Sequence, residues 1–598
     1  MTAAEADGER VKRQGTTPAT TETDTSSNTE KKPEDFAFEL TWARKSAHIG
    51  PSTAPVFYPV SQNGYRCDGY PGENNNTANG EAGTPGSWTP NDKDPFEVVF
   101  DGGDADPMSP RSMKTARKWL ILSVLSGAGL CFTTASSIYS STYAQMDAEF
   151  NCSRIVSTLG ISTYVLGIGF GPMFLGPLSE FFGRRLIYLI AWTLYILWII
   201  PQAVAHNIAT MVVARLFDGL AGSAFLAVSG GTVSDLFNRD ELQAPMLFHS
   251  LVQFLGPALG TVLGGFINSH ADWRWTYYVL LIWAVIQLVL VVFLVPETYH
   301  PVILRDMARA RRKNTGDDRW KAPMEKANKS IARTISLSLL RPFQLLIFEF
   351  MVLNLCVFSA ILLGILYLFF GAFPLVFRNA HDFNLWQVGL SFLGILVGTL
   401  MAGAADPMFH GIRRCLVARL EKKTGIQGSS EPEFRLPPAI CGSFLVTIGL
   451  FTFGWTTFPH VHWIVPIIGS SIFGAGSPQL SAVSVISTDG KSAGFYQYLY
   501  LPIVLCGRCG GGRRVGADDE AQVDAYPLYA ASALAANAFV RCLFAATFPL
   551  FGNQMYDKLG YQWASSLLGF LTLAMLPFPY LFFRYGKRIR GNSRFATD

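Results

Sequence analysis

Two ionisable residues, Arg215 and Asp218, lie three residues apart in the stretch "RLFDGLAGS", with long apolar runs on both sides. Ionisable groups in apolar surroundings are costly unless they pair or face a cavity. An arginine stays protonated, so it can hold a carboxylate but cannot carry a proton. A carboxylate one helical turn away can pair with it or bind a proton beside it. The spacing leaves both roles of Asp218 open.

A second charged group interrupts apolar sequence at "GPLSEFFGRRL", where Glu180 is followed by Arg184 and Arg185. The glycines permit a tight reversal of the chain and close helix contact. Glu180 and Arg184 lie one turn apart if the segment is helical. The stretch therefore predicts a charged connection between two helices, and the alternative is that the arginines only anchor the topology.

The elements around these residues are membrane spans. The chain has 598 residues, of which 49% are hydrophobic and only 15% charged, and a spanning helix needs about 20 mainly apolar residues. Twelve such runs follow residue 117, in two groups of six. They are 119–140, 157–177, 186–205, 209–232, 246–268, 275–295, 351–377, 386–405, 438–458, 462–482, 528–551 and 563–583.

Lysine and arginine concentrate in alternate connections, including the links around 184–185 and 413–423 and the segment 305–341. Such connections stay in the cytoplasm, so both termini are predicted to be cytoplasmic. The domains are a disordered tail (1–115), a six-helix bundle (116–298), a basic central loop (299–345), a second bundle (346–584) and a C-terminal tail (585–598). The net charge of +4 reflects this topology and indicates no nucleic-acid partner.

Several chemistries are not predicted. The nearest approach to a phosphate-binding loop is "GKS" at 490–492, where Val485 replaces the first glycine. No nucleophile and base are ordered on any span, and the nine cysteines are scattered. We therefore predict neither an enzyme nor a cofactor or metal site.

The stretch at 176–185 resembles the signature loop of the major facilitator superfamily, Gly-x-Leu-x-Asp-x-x-Gly-Arg-Arg/Lys, with Glu180 in place of the usual aspartate. The resemblance implies a cytoplasmic latch between two halves, formed with Asp235 at the inner end of span 4 and with the start of span 11. "RLFDG" resembles the family's Arg-x-x-x-Gly pattern in span 4, whose arginine is associated with proton coupling. Asp218 departs from the uncharged residue that is usual there.

Span 5 reads "GPALGTVLGG", which sets three glycines on one helix face and permits close helix packing. It resembles the antiporter motif Gly-x3-Gly-Pro-x2-Gly-Gly of exporters in this superfamily, with Thr261 replacing the second proline. Helix packing alone is the alternative explanation. The motif residues are Gly256, Pro257, Gly260, Gly264 and Gly265.

Further local matches, among them "WRWTYY", "PETY" and "DAYPLYAASALAAN", are similar to fungal drug:proton antiporters with twelve spans. The resemblance implies an all-α membrane protein with the major facilitator fold, whose twelve helices form two six-helix bundles around a central cavity. Polar and aromatic residues in the spans that line the family's cavity are candidates for the substrate site. They are Tyr139, Tyr143, Tyr164, Gln253, Tyr367, Phe370 and Asn537.

The segment 477–523 does not fit this pattern, because polar and Gly/Arg/Asp-rich stretches replace the end of span 10. A long break inside a packed bundle argues against a simple element assignment. We interpret the segment as a retained intron or an error in the gene model, which sequencing of the transcript would test.

The resemblance predicts a secondary active transporter that exports small, largely apolar toxic compounds in exchange for protons by alternating access. Its partners are then a small-molecule substrate, protons and the lipid bilayer. The protein is expected to be a monomer. We expect it in the plasma membrane, and the vacuolar membrane is the alternative. Two other functions stay open: a facilitative importer of a small nutrient or polyamine, and a transporter-like sensor. Substrate identity is not predicted.

Overall fold

The computed structural model describes residues 96–100, 102–238, 241–326, 331–425, 434, 436–486 and 530–590. The first 95 residues, the last eight and most of the irregular segment 477–523 lie outside these ranges. Within them the chain is helical, and its one β-bridge joins Glu97 to Lys321.

Six apolar helices form the first bundle, close to the predicted spans. Spans 1 to 6 are Thr115–Phe150, Arg154–Phe182, Arg184–Ala203, Ile208–Leu236, Gln243–His270 and Arg274–Leu294. Each is at least 20 residues long, which at about 1.5 Å per residue suffices for the hydrocarbon core. Span 1 includes a short 3-10 segment, Tyr139–Thr142, and span 4 is interrupted near Ser223 and Val228.

The second bundle begins with spans 7 to 10, which are Phe350–His381, Leu385–Ala404, Pro437–Trp455 and Ile464–Ile486. One helical stretch, Ala530–Met575, follows and contains a kink at Gly560, where φ is +76°. A straight helix would separate residues nine apart by about 13 Å along its axis, but the hydroxyls of Tyr556 and Ser565 are 3.2 Å apart. The chain therefore reverses at Gly560 and supplies spans 11 and 12, the latter continued by Pro577–Arg590.

The described residues contain ten helices long and apolar enough to cross a membrane. With the reversal at Gly560 and the shorter apolar helix of span 10, they account for the twelve predicted spans, and the predicted all-α membrane fold is confirmed. Span 10 runs helically to Ile486, so the first ten residues of the irregular segment 477–523 continue the span. The rest of that segment lies outside the described residues, and its interpretation stays a prediction.

We call the end of the bundles where span 2 meets span 3 the basic end, and the other the opposite end. Span 2 packs against span 11, and span 5 against span 8, so these pairs join the bundles. Near the opposite end the rings of Phe266 and Trp386 stack with centroids 5.9 Å apart. Between the two ends of the bundles, Tyr367 of span 7 donates a hydrogen bond of 3.2 Å to Ser136 of span 1.

Residues 96–114 differ from the predicted disordered tail. Val98 is fully buried in a small apolar cluster with Leu304, Ala308 and Ala322, and Glu97 accepts a 2.8 Å bond from Lys326. This part of the tail is ordered because its apolar side chains have a partner surface: the predicted central loop folds into the helices His300–Thr315, Pro323–Lys326 and Ile331–Phe348.

Candidate functional site

Arg215 lies fully buried in the first bundle, where spans 1, 2 and 4 meet. Its guanidinium donates to the carbonyl oxygens of Ala135, at 3.0 Å, and Gly160, at 3.3 Å. The same group sits 4.4 Å from the ring centroids of both Tyr139 and Tyr164. Two aromatic faces stabilise a desolvated cation, so the arginine is held in place by dipoles and π-faces.

The two tyrosines are in turn fixed by their hydroxyl groups. Tyr139 donates to the carbonyl of Ser157 and Tyr164 to that of Phe132, each at 2.9 Å, and both side chains are fully buried. Their hydroxyls are therefore occupied within the bundle. The structure places these two candidate substrate residues around Arg215.

Asp218 points away from that aromatic enclosure, toward span 3. Its Oδ2 atom accepts a 2.8 Å bond from Gln202 Nε2, and its Oδ1 atom is buried without a hydrogen-bond partner. Asp218 and Arg215 form no ion pair, in contrast to the pairing that their spacing suggests, because each side chain is engaged by different helices. The charge of Arg215 nevertheless acts on Asp218 at longer range.

The loop between spans 2 and 3 forms a buried ion pair at the basic end. Arg184 Nε lies 3.2 Å from Asp235 Oδ2 of span 4, with 2% and 6% of the two side chains exposed. Arg184 also donates to Ser179 Oγ at 2.6 Å. Glu180 is half-buried one turn before Arg184 and acts on it electrostatically. The predicted contact with the start of span 11 lies outside the described residues.

Glu297 completes this group, and sequence reasoning assigned it no role. Its carboxylate accepts bonds from the backbone N–H groups of Arg184, at 2.9 Å, and Arg185, at 3.1 Å. It therefore caps the N-terminus of span 3, where a negative charge is favourable. Gly183 has φ of +96° and a Cβ there would lie 2.8 Å from Glu297 Cδ, so this turn requires glycine. The glutamate of "PETY", just after span 6, is the feature of the sequence that could have indicated this capping role.

Replacing Glu297 by glutamine should lower both the thermal stability of the protein and its transport rate. The amide keeps one acceptor oxygen but loses the charge, and loss of a charged cap costs about 1–2 kcal/mol. The measurement is the melting temperature of the purified protein and transport at matched amounts. Asp317→Asn is the control, since the half-buried Asp317 pairs with its near neighbour Arg319, whose side chain is exposed. Equal melting temperatures for Glu297→Gln and wild type would contradict the capping role.

The glycines of span 5 face two different neighbouring helices. A Cβ on Gly264 would lie 2.8 Å from Ser141 Oγ, and Gly256 and Gly260 are even more tightly set against span 1. Gly265 instead faces span 8, where its Cβ would lie 3.0 Å from the carbonyl of Leu385. Pro257 lies inside the same helix. Span 5 is thus packed tightly on span 1 and also takes part in the contact between bundles.

The remaining candidate substrate residues are distributed over three places. Tyr367 and Phe370 lie between the bundles, with ring centroids 5.2 Å apart. Asn537 of span 11 is buried and accepts a 2.6 Å bond from Ser359 of span 7. Tyr143 lies toward the opposite end, with Arg154 over its ring at 5.1 Å and its own ring centroid 5.3 Å from that of Tyr139, so it adjoins the aromatic residues around Arg215.

Gln253, the last candidate, is joined to a histidine that the sequence reasoning did not single out. His249 is buried and contacts Ser126 of span 1 at 2.9 Å, Ser229 of span 4 at 2.7 Å and Gln253 at 2.6 Å. It therefore links three helices of the first bundle through polar contacts. The signal was a histidine four residues before Gln253 on the same helix face.

Comparison with known proteins decides the family. Residues 125–506 match the profile described as Major Facilitator Superfamily, which is well over half of the chain. This protein belongs to the major facilitator superfamily. The match extends into the irregular segment 477–523.

Relatives within the superfamily are transporters. The chain is 50% identical to "Efflux pump atB" of Aspergillus terreus over 511 residues, covering 86% of this chain and 92% of that protein. It is 38% identical to "Probable drug/proton antiporter YHK8" of Saccharomyces cerevisiae over 509 residues, covering 85% and 91%. This facilitator is thus a membrane transporter and not an enzyme.

A solved structure shares the fold. The xylose transporter XylE from E. coli, in a partially occluded inward-open conformation, aligns with a TM-score of 0.50 at 18% identity. The alignment covers 79% of this chain and 98% of XylE. At this identity the similarity bears on the fold alone.

Proposed function

We propose that this facilitator exports small, largely apolar toxic compounds, such as drugs, fungicides or secondary metabolites, in exchange for protons by alternating access. The observation that supports coupling of export to protons is the environment of Asp218. Its carboxylate is fully buried, one of its oxygens has no hydrogen-bond partner, and it lies in the same helix as Arg215. The efflux pump and the drug/proton antiporter among its relatives support export over the importer or sensor alternatives.

In this proposal Asp218 binds the transported proton. Its Oδ1 atom has no partner, and the buried amide oxygen of Gln202, whose Nε2 atom donates to Oδ2, also lacks one. Protonation would turn Oδ1 into a donor beside an unsatisfied acceptor, whereas ionisation leaves a carboxylate near the positive charge of Arg215. Each protonation state therefore has a distinct stabilising partner, as a switch requires.

The same proposal assigns the ion pair Arg184–Asp235 and the cap Glu297 to a latch at the basic end. These groups hold the start of span 3 to spans 4 and 6. All of these groups belong to the first bundle, and the contact with the second bundle that would complete the latch is expected at the start of span 11. Glu180 and Arg185 belong to the latch by the family's pattern, and the motif of span 5 favours antiport.

We propose that both termini lie in the cytoplasm, and the distribution of basic residues supports this orientation. Arg305, Arg309, Arg311, Arg312 and Lys313 all lie in or beside the helix His300–Thr315 after span 6. The basic end is then cytoplasmic. We propose the plasma membrane as the location and a monomer as the working unit.

Drug accumulation in cells tests the direction of transport. Cells with the protein should accumulate less of a labelled toxic compound than cells without it, and the difference should disappear when a protonophore collapses the pH gradient. Higher accumulation would instead indicate import. Unchanged accumulation across a broad panel of toxic compounds would contradict the proposal.

A further inference from the structure

Arg541 is an ionisable residue in the second bundle that none of the preceding roles uses. It lies in span 11, is half-buried and forms no hydrogen bond or ion pair with any described residue; its Nε atom is buried without a partner. A charged side chain within a membrane span is rare, costly and commonly functional. Arg541 cannot lose its proton to reduce that cost.

The side chain points into the protein and not toward lipid. At about 100° per residue, Arg541 lies on the same side of span 11 as Asn537 and Ala545, which are 2% and 0% exposed. The exposed side chain of Leu543 lies about 200° around the helix from Arg541 and projects from the other side. The arginine therefore faces the interior of the bundles.

Arg541 lies close to residues of span 7 that contact the first bundle. Its charge acts on Cys356 and Tyr367 of span 7. Tyr367 is the residue that donates to Ser136 of span 1 across the bundles. The ring of Phe370 lies against Tyr367, and Phe392 packs on Phe370 at 5.5 Å. The adjacent Val540 packs in one apolar cluster with Cys356, so the charge of Arg541 lies on the span 7 side of span 11 and reaches these aromatic side chains.

Among the described residues, no acid of the second bundle forms an ion pair with Arg541. Asp557 follows sixteen residues later in span 11, about 24 Å along the helix. Glu349 lies just before span 7, seven residues and about 10 Å along the helix from Cys356. Asp382 caps the far end of span 7. In the first bundle, by contrast, two carbonyl oxygens and the faces of two aromatic rings stabilise the charge of Arg215.

We propose that Arg541 is the binding site for the carboxylate of an anionic substrate with an apolar, aromatic body. This inference rests on the proposed export function and names its substrate class. A guanidinium matches a carboxylate with two parallel hydrogen bonds. One arginine balances one negative charge, so a monocarboxylate leaves a neutral complex inside the membrane, whereas a phosphate dianion would not. The aromatic side chains near Tyr367 receive the apolar body.

Ligand-induced thermal stabilisation of the purified full-length protein tests this site. The probes are benzoate, cinnamate and 2-naphthoate, each compared with its neutral primary amide. Carboxylates should raise the melting temperature of wild type more than the amides do. Arg541→Gln should weaken the apparent carboxylate affinity by about tenfold or more and leave the response to amides unchanged. Arg378→Gln, an exposed position at the end of span 7, should behave as wild type.

A second readout separates binding from a structural role. Without ligand, Arg541→Gln should melt at or above the wild-type temperature, because it removes an uncompensated charge. If this variant does not fold, Arg541→Lys serves instead and should bind carboxylates more weakly than wild type. A lower melting temperature of Arg541→Gln without ligand, or equal stabilisation by carboxylates in it and wild type, would overturn the proposal.

Failure of this inference is distinguishable from failure of the proposed function. If no carboxylate stabilises wild type but neutral compounds are still exported under a pH gradient, the substrate class is wrong and proton-coupled export stands. If gradient-driven export fails for acids and neutral compounds alike, the proposed function is overturned, and the assignment of Arg541 as a substrate site is overturned with it.

Discussion

Arg215→Ala is expected to abolish proton-driven export, with a loss of at least about a hundredfold at matched amounts of protein. The substitution removes a fully buried cation from between the rings of Tyr139 and Tyr164. It removes the guanidinium that donates to the carbonyls of Ala135 and Gly160, and it takes the nearby positive charge away from Asp218. The measurement is uptake of labelled substrate into inverted plasma-membrane vesicles under an imposed pH gradient.

Arg215→Lys provides the graded comparison for this result. Lysine retains the charge but lacks the planar group that lies over two rings and donates in two directions, so part of the activity should remain. Arg378→Ala is the matched control at an exposed position. Undiminished gradient-driven accumulation by Arg215→Ala would rule out the role of Arg215 in coupling.

Asp218→Asn should eliminate acceleration of transport by the pH gradient while preserving substrate exchange. Asparagine has nearly the same shape and can still accept a bond from Gln202, but it cannot bind or release a proton. We expect gradient-driven uptake to fall to the level of vesicles without the protein. Exchange of labelled for unlabelled substrate across the same vesicles should continue, since it requires only the substrate and the rocking of the bundles.

The control for this variant is Asp557→Asn, which alters an exposed carboxylate near the end of span 11. Its gradient-driven uptake should match that of wild type. Retained gradient-driven uptake in Asp218→Asn would assign the proton to a different acid. Loss of both uptake and exchange would point to a structural role for Asp218.

The positions of the spans were predictable because hydropathy and helix length are local properties. Each predicted run of about 20 apolar residues coincides with a helix in the described residues. Even the reversal between spans 11 and 12 is marked by a glycine, Gly560, with positive φ. The tail was harder: Val98 is ordered by Leu304 and Ala308, which lie two hundred residues away in sequence.

The partners of the buried charges were only partly predictable. Asp235 was assigned to Arg184 through the family's pattern, and the two side chains do form an ion pair. Helical spacing suggested that Asp218 pairs with Arg215, but spacing describes one helix, and the neighbouring helices supply other partners. Glu297 and His249 act through contacts with helices distant in sequence, which no local pattern specifies.

Proton movement driven by substrate is the most direct test of coupled export through Asp218. Purified protein in liposomes loaded with a pH-sensitive dye is given, on one side, a compound that the accumulation assay has identified as a substrate. Wild type should move protons in the direction opposite to the compound, and Asp218→Asn should move the compound down its gradient without any proton signal. Movement of the compound by wild type with no change in internal pH, or an undiminished proton signal in Asp218→Asn, would contradict the account.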